Sequence, residues 1–346
     1  MDISENVPLS NLTTFRTGGP ARFLLIVDTS EIREAVAFAK EKGLPLISIG
    51  SGSNMLAPES GSNAIFLRIA NNTIDERKKG DSILLTADAG VLWDDLVLYA
   101  THHGWWGIEN LSAIPGTVGA AAVQNIGAYG AALSEHLVSV DAYDTKEETI
   151  KTISKSECAF GYRTSIFKKE ADRYIILKVT LSLSKTSAPN ISYRDLAKSF
   201  ADNQTPSLSQ VRNAVMAIRK GKFPPLSEFG TAGSFFLNPI VGAREQQELS
   251  KRFPDMPFFP LPEGGVKLPL AWILDRALSL KGERRGNAFL WEQQPLVIAT
   301  TDGASTADVT ALADSVAHAV FQKTGITIQP EVRFLGAHEG KKEHHN

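Results

Sequence analysis

The sequence predicts an α+β protein of two or three domains, and three observations carry that prediction. The chain has 346 residues, beyond the size at which one hydrophobic core keeps growing. Residues 1–70 alternate strand and helix patterns, and the stretch after them is dominated by strands. A break at Gly221, Pro224 and Pro225 then opens a region that mixes helix and strand again. The expected division is 1–70, joined by 326–340 returning to it, then 71–222, then 223–325.

The elements follow from apolar runs and their spacing. Arg22 to Val27 reads as a buried strand, Glu31 to Lys42 as a helix, and Leu46 to Ile49 and Ala64 to Ile69 as strands. Together they form a small unit of the βαβ kind. Ser82 to Ala87 reads as a strand and Trp93 to His103 as an amphipathic helix. Strands follow at Val138 to Tyr143, Glu148 to Thr152 and Tyr174 to Leu183. A helix from Leu208 to Arg219 is expected to end at Gly221, ahead of the prolines. Beyond it come a helix at Leu270 to Leu280, a strand at Leu296 to Thr300 and a helix from Thr306 to Lys323. Two short strands, Ile326 to Gln329 and Val332 to Leu335, are expected to close the fold. No repeat of fixed period occurs.

Composition bounds the partners. Hydrophobic residues make up 43% and charged residues 21%, with a net charge of −2. That balance fits a soluble globular protein and points away from nucleic acid or an anionic membrane. The single cysteine, Cys158, permits no internal disulfide and fits a reducing compartment. It reads as a small buried residue rather than a nucleophile. Residues 1–6 lack a signal-peptide pattern and no run is long enough to span a bilayer, so a cytoplasmic protein is expected. His344 and His345 in the polar tail read as solvated, and no metal-ligand cluster is visible. His102 and His103 read as a helix end meeting the carboxyl-terminal dipole. Trp93, Trp272 and Trp291 read as core.

Two glycine-rich segments stand out. Gly50-Ser51-Gly52-Ser53-Asn54-Met55 follows a strand, and its small residues let backbone N–H groups converge on an anion such as a diphosphate. It is neither a complete dinucleotide fingerprint nor a P-loop, and by itself it fits a simple turn equally well. The second runs from Ile114-Pro115-Gly116-Thr117 through Gly119 and Ala120 to Asn125 and Gly127. Pro115 and Gly116 suit a turn, Thr117 a helix cap, and the alanines close packing against a ring or another backbone. Two such segments suggest one long cofactor lying across both, with its diphosphate between them.

Three further segments carry candidate chemistry. In Gly233-Ser234-Phe235-Phe236, a hydroxyl lies between a glycine and two aromatics. This suits proton delivery in a dry pocket, and it also suits a buried serine among core phenylalanines. In Tyr162-Arg163-Thr164-Ser165, a guanidinium in a partly apolar setting calls for an anion or a stacking partner. In Pro330-Glu331-Val332-Arg333, strand alternation places Glu331 with Arg333 and Leu335 on a face expected to be buried. Burial would favour a neutral, proton-donating carboxyl. A Glu–Arg ion pair at a strand edge is the alternative.

With these motifs in order, and with Thr14-Phe15-Arg16-Thr17-Gly18-Gly19 near the start, the chain resembles the UDP-N-acetylenolpyruvoylglucosamine reductase (MurB) family over nearly its whole length. The resemblance implies a two-subdomain FAD-binding half of the vanillyl-alcohol-oxidase (PCMH) type and a C-terminal α/β substrate domain. It implies non-covalent FAD, NADPH as reducing co-substrate, a UDP-sugar substrate and a monomeric enzyme of peptidoglycan precursor synthesis. Arg163, Ser234 and Glu331 are the catalytic residues it implies. Reduced flavin would deliver hydride to the enolpyruvyl group. Arg163 and a protonated Glu331 would stabilise the charge pushed into the carboxylate, and Ser234 would protonate the adjacent carbon. Tyr193, in Ile191-Ser192-Tyr193-Arg194-Asp195, matches the substrate-covering tyrosine of the larger, type I members. Tyr162, Arg219, Lys222, Asn238 and Gln293 match substrate-binding positions. Many type I members carry lysine where Leu237 stands, which shifts phosphate binding toward Lys222 and Arg219. Two other readings compete: an FAD oxidase of an alcohol or sugar on the same fold, and a non-catalytic nucleotide-binding module.

Overall fold

The computed structural model of the chain describes residues 1–200, 205–261 and 264–336. It divides into two compact units: one of residues 1–7, 21–51 and 63–221, the other of residues 8–20, 52–62 and 222 onward.

The first unit holds two sheets. A four-stranded sheet has the order Asp2–Pro8, Pro20–Val27, Ser62–Ile69, Leu46–Ser48. Its last two strands are parallel, with Leu46 opposite Ile65 and Ser48 opposite Leu67. The Ile32–Lys42 helix lies between Pro20–Val27 and Leu46–Ser48 in the chain and ends at Gly43, whose φ of 63° supplies a left-handed cap. Ile32, Ala35, Val36 and Ala39 recur at helical spacing and pack in one core with Leu25, Val27, Ile65 and Leu67. The second sheet is antiparallel, in the order Thr149–Ser154, Leu137–Asp144, Tyr174–Ser184, Ser82–Asp88, Ile74–Lys79. Alternate residues such as Ile83, Leu85, Val179, Leu181 and Leu183 pack in one core with Trp93, Leu96 and Val97 of the Trp93–His102 helix.

Asp144 is fully buried at the end of its strand and pairs with Lys151 and Arg173, each at 2.9 Å. The hydrogen bond from Arg173 is the largest influence holding its carboxyl well below the usual range. Both cations are partly exposed, so we expect Asp144→Asn to cost about 2 kcal/mol rather than the larger figure for a fully buried pair. The folded value is depressed. The contribution is therefore full above the unfolded carboxyl value, about 4, and is lost as pH falls through the acid range. Urea melts of the two proteins at neutral and acid pH check this, because their difference shrinks in acid.

The second unit is built on an antiparallel sheet in the order Gly230–Ser234, Val297–Thr300, Ala288–Leu290, Arg284–Arg285. The Thr306–Thr324 helix packs into the same core through Val309, Leu312, Val316 and Val320. Ser305 caps it by accepting the Asp308 N–H at 3.1 Å, and the Asp308 carboxylate accepts the Ser305 N–H at 3.0 Å. A short parallel pair joins Arg333–Phe334 to Met55–Leu56.

Several expectations need correction. The helix begun at Leu208 runs through Gly221 to Lys222, because the residue that must leave helical geometry is the one before Pro224. The Leu270 helix is α-helical to Trp272 and then widens to a π turn over Ile273–Ala277, with adjacent Ile273 and Leu274 both fully buried. Ile326 to Gln329 is not a strand, and the closing strand is Arg333–Phe334 alone. The Gly230–Ser234 strand and the Ala243–Arg252 helix had no counterpart in the pattern. Of the three tryptophans, only Trp93 is fully buried. The terminal histidines lie outside the described residues. Among the described residues, no helix is long and apolar enough to cross a membrane.

Candidate active site

In the first unit the two glycine-rich segments meet. A Cβ on Gly50 would stand 2.6 Å from Thr117 Oγ1 and 3.3 Å from the Ala120 Cβ, so only glycine allows that approach. Thr117 caps the Val118–Gln124 helix as expected, its hydroxyl accepting the Ala120 N–H at 3.4 Å. Ser51, Ile114, Gly116 and Ala120 are partly exposed beside this contact and Gly119 is buried. Gly50 is followed by turns and the two-residue strand Met55–Leu56, not by a helix.

The chain leaving that helix reaches Arg163. Asn125 adopts a left-handed φ of 47° and closes the helix. Its carboxamide donates to the Gly161 carbonyl at 3.0 Å and accepts the Ser134 N–H at 3.0 Å. Asn125 therefore braces the Arg163 turn. Gly161 and Thr164 bond each other's backbone at 3.1 and 3.3 Å, which lifts Tyr162 and Arg163 to the tip. Arg163 itself has a φ of 54°, a conformation that needs outside support in a non-glycine residue. Its guanidinium donates to the Gly127 carbonyl and, at 3.4 Å, to that of Asn125, and lies 5.5 Å from the Tyr162 ring centre. The sequence calls for an anion or a stacking partner here; the structure gives the guanidinium two backbone carbonyls and the neighbouring Tyr162 ring.

Tyr193, Tyr129 and Arg219 form a further group in this unit. The Tyr193 ring is exposed and meets the buried Tyr129 ring edge-on at 5.3 Å. Asn110 anchors both chain segments by donating to the Tyr129 carbonyl at 2.8 Å and the Asn190 carbonyl at 2.7 Å. Arg219 donates from Nε to the Ala113 carbonyl at 3.1 Å. Burial lowers its proton affinity, and Tyr129 and Asp94 oppose that effect.

Ser234 and Glu331 come together in the second unit. The ladder slips between Thr231 and Ser234, and Gly233 has a φ of 74°. A bulge of this kind re-aims the next side chain. The Gly233 N–H is held by Thr231 Oγ1 at 3.1 Å, and an added Cβ would meet open space, so its glycine serves conformation rather than room. Ser234 is partly exposed, whereas Phe235 and Phe236 are buried. The Phe235 carbonyl accepts the Glu331 N–H at 2.8 Å, and Asn54 Nδ2 donates to the Glu331 carbonyl at 3.1 Å. The Glu331 backbone is thus fixed on both sides, one residue from Ser234. Glu331 is partly exposed rather than buried, because the strand is only Arg333–Phe334 and alternation does not extend back to set its face.

The remaining candidates divide. Asn238 Oδ1 accepts the Leu270 N–H at 3.0 Å, which ties the segment after Ser234 to a helix start. Lys222 is partly exposed and Gln293 exposed. The Leu237 N–H donates to the Gln329 carbonyl at 2.9 Å. Gly52 is buried, Ser53 is partly exposed, and Met55 pairs in register with Arg333. Cys158 is buried, and burial pushes its thiol up to about 12, which removes it as a nucleophile at neutral pH. His103 closes its helix and stacks on Trp105 at 4.7 Å. Pattern reasoning missed the role of the Asn54 side chain and the Gly230–Ser234 strand. Gly-Thr-Ala-Gly-Ser carries little strand propensity, so no local signal marked that strand.

A family model described as an FAD binding domain matches residues 20–153. Another, described as the C-terminal domain of UDP-N-acetylenolpyruvoylglucosamine reductase, matches residues 224–335. The UDP-N-acetylenolpyruvoylglucosamine reductase of Pseudomonas aeruginosa is 37% identical over 337 residues, covering 96% of this chain and 98% of the relative. That of Neisseria meningitidis serogroup A is 38% identical over 341 residues, covering 97% and 98%. The crystal structure of the Thermus caldophilus enzyme of that name aligns with a TM-score of 0.69 at 25% identity, over 97% of this chain and 99% of the other.

Proposed function

The chain belongs to the UDP-N-acetylenolpyruvoylglucosamine reductase family, and from that premise we propose that it reduces the enolpyruvyl group of UDP-N-acetylglucosamine-enolpyruvate to UDP-N-acetylmuramate, with NADPH as reductant. The observation that supports this reading at the level of residues is the backbone contact that brings the segments of Ser234 and Glu331 together in the second unit. A bulge aims the hydroxyl, and two hydrogen bonds fix the backbone of the carboxyl one residue away.

The residues fit FAD. Gly50 and Thr117 form a contact that a Cβ would fill, and a buried arginine nitrogen stands unpartnered on the strand beside Gly50. Gly50 to Met55, Ile114 to Ala120, Asn125 and Gly127 are the residues we assign to the cofactor. When bound and reduced by NADPH, the flavin would supply the hydride for the alkene carbon. Arg163 and a protonated Glu331 then offer donors to the substrate carboxylate, where negative charge develops, and each such donor typically contributes about 3 kcal/mol. Ser234 Oγ holds the proton that passes to the adjacent carbon. Arg163 is carried by the other unit and is assigned by its motif and its supported turn. Tyr162, Tyr193, Arg219, Lys222, Asn238 and Gln293 are assigned to the UDP-sugar. The reading makes residues 223–325 a substrate-binding domain and 1–222 with 326–340 the FAD-binding half, in a monomeric cytoplasmic enzyme of peptidoglycan precursor synthesis.

Anaerobic mixing tests the reading. NADPH should bleach the yellow protein and the enolpyruvyl sugar nucleotide should restore its colour. Colour restored by oxygen but not by the sugar nucleotide would instead indicate an oxidase. A related outcome is expected at Gly50. Gly50→Ala forces Thr117 to rotate, which loses a helix cap of about 1 kcal/mol and separates the two segments. Its purified ratio of flavin to protein absorbance should fall well below that of the wild type.

A further inference from the structure

Arg68 stands at the carboxyl end of the Ser62–Ile69 strand. Its neighbour Leu67 pairs with Ser48 and accepts the Ile49 N–H at 2.9 Å. Gly50 is the next residue along that chain, so Arg68 lies on the strand beside the one that delivers the glycine-rich segment. Leu67 packs in the core with the Ile32–Lys42 helix, and strand alternation turns Arg68 to the opposite face of the sheet.

The side chain is half-buried and its Nε is buried without a hydrogen-bond partner among the described residues. Burial lowers the proton affinity of the guanidinium, and no carboxylate opposes that effect. A desolvated guanidinium of this kind destabilises a fold unless an anion meets it. The segments from Gly50 to Met55 and from Ile114 to Gly127 contain neither lysine nor arginine. Those two segments therefore offer a diphosphate only uncharged donors.

We propose that Arg68 provides the positive charge that holds the FAD diphosphate, and that the fold keeps it incompletely partnered for that purpose. The proposal rests on the reading that places the cofactor at Gly50 and Thr117. It predicts opposite effects on cofactor and fold. Wild-type, Arg68→Met and Arg68→Lys holoproteins are to be compared by FAD release on dilution, followed by flavin fluorescence. Flavin-free samples of each are to be compared by thermal unfolding. For Arg68→Met, FAD retention should weaken about ten- to a hundred-fold, the factor carried by a hydrogen bond to a charged group. Arg68→Lys should fall between. Flavin-free Arg68→Met should melt at or above the wild-type temperature, since methionine fills similar space without a charge to desolvate. Equal FAD retention in Arg68→Met would overturn the proposal. So would a flavin-free variant that melts clearly lower, because the arginine would then serve the fold. Wild-type protein that binds no FAD would sink the cofactor reading itself, a result distinguishable from either.

Discussion

Ser234→Ala is expected to leave reduction of the flavin by NADPH at the wild-type rate and to slow its reoxidation by the enolpyruvyl sugar nucleotide by about a thousand-fold, within the range for loss of a positioned general acid. The two half-reactions separate because only the second requires a proton on carbon. Stopped-flow absorbance under anaerobic conditions measures both. The expectation depends on the bulge at Gly233, which re-aims one side chain without disturbing buried Phe235 and Phe236. Alanine fits the same backbone, so flavin content and melting temperature should hold. Equal slowing of both half-reactions would place Ser234 in the structure of the site rather than in the proton transfer.

Glu331→Gln is expected to slow reoxidation by about a hundred-fold, as for loss of a strong donor to developing charge. An amide still donates a hydrogen bond, but more weakly than a carboxylic acid, so the loss should be smaller than at Ser234. The pH dependence distinguishes the role. A carboxyl that acts while protonated loses activity as it ionises, so wild-type reoxidation should decline as pH rises through its titration. In Glu331→Gln that decline should vanish. Its persistence would assign the titration to another group.

The sequence was legible where local chemistry has a single structural solution. The Thr306 helix was placed to within a residue at its end, and the structure caps it with Ser305, Asp308 and Gly325. Thr117 was recognisable as a cap for the same reason. Four strands of the five-stranded sheet were placed within a residue or two, whereas Ile74–Lys79, charged at every position after Ile74, gave no apolar pattern and was missed. The Gly230–Ser234 strand was not legible. Its small residues are held there by distant partners, since the Thr231 N–H donates to the Thr14 carbonyl at 3.0 Å and the Phe235 N–H to the Leu296 carbonyl at 2.7 Å.

The sequence by itself determined the α+β class and most of the regular elements, while the redox chemistry rested on the family resemblance alone. Class and elements depend on periodicity and caps, which neighbouring residues specify. Only the tertiary structure decided that Gly50 abuts Thr117, that Asn125 braces Arg163 and that Asn54 and Phe235 grip Glu331. Each of these joins residues far apart in the chain. Such contacts form when backbone donors and acceptors left over by local structure find each other as the cores close.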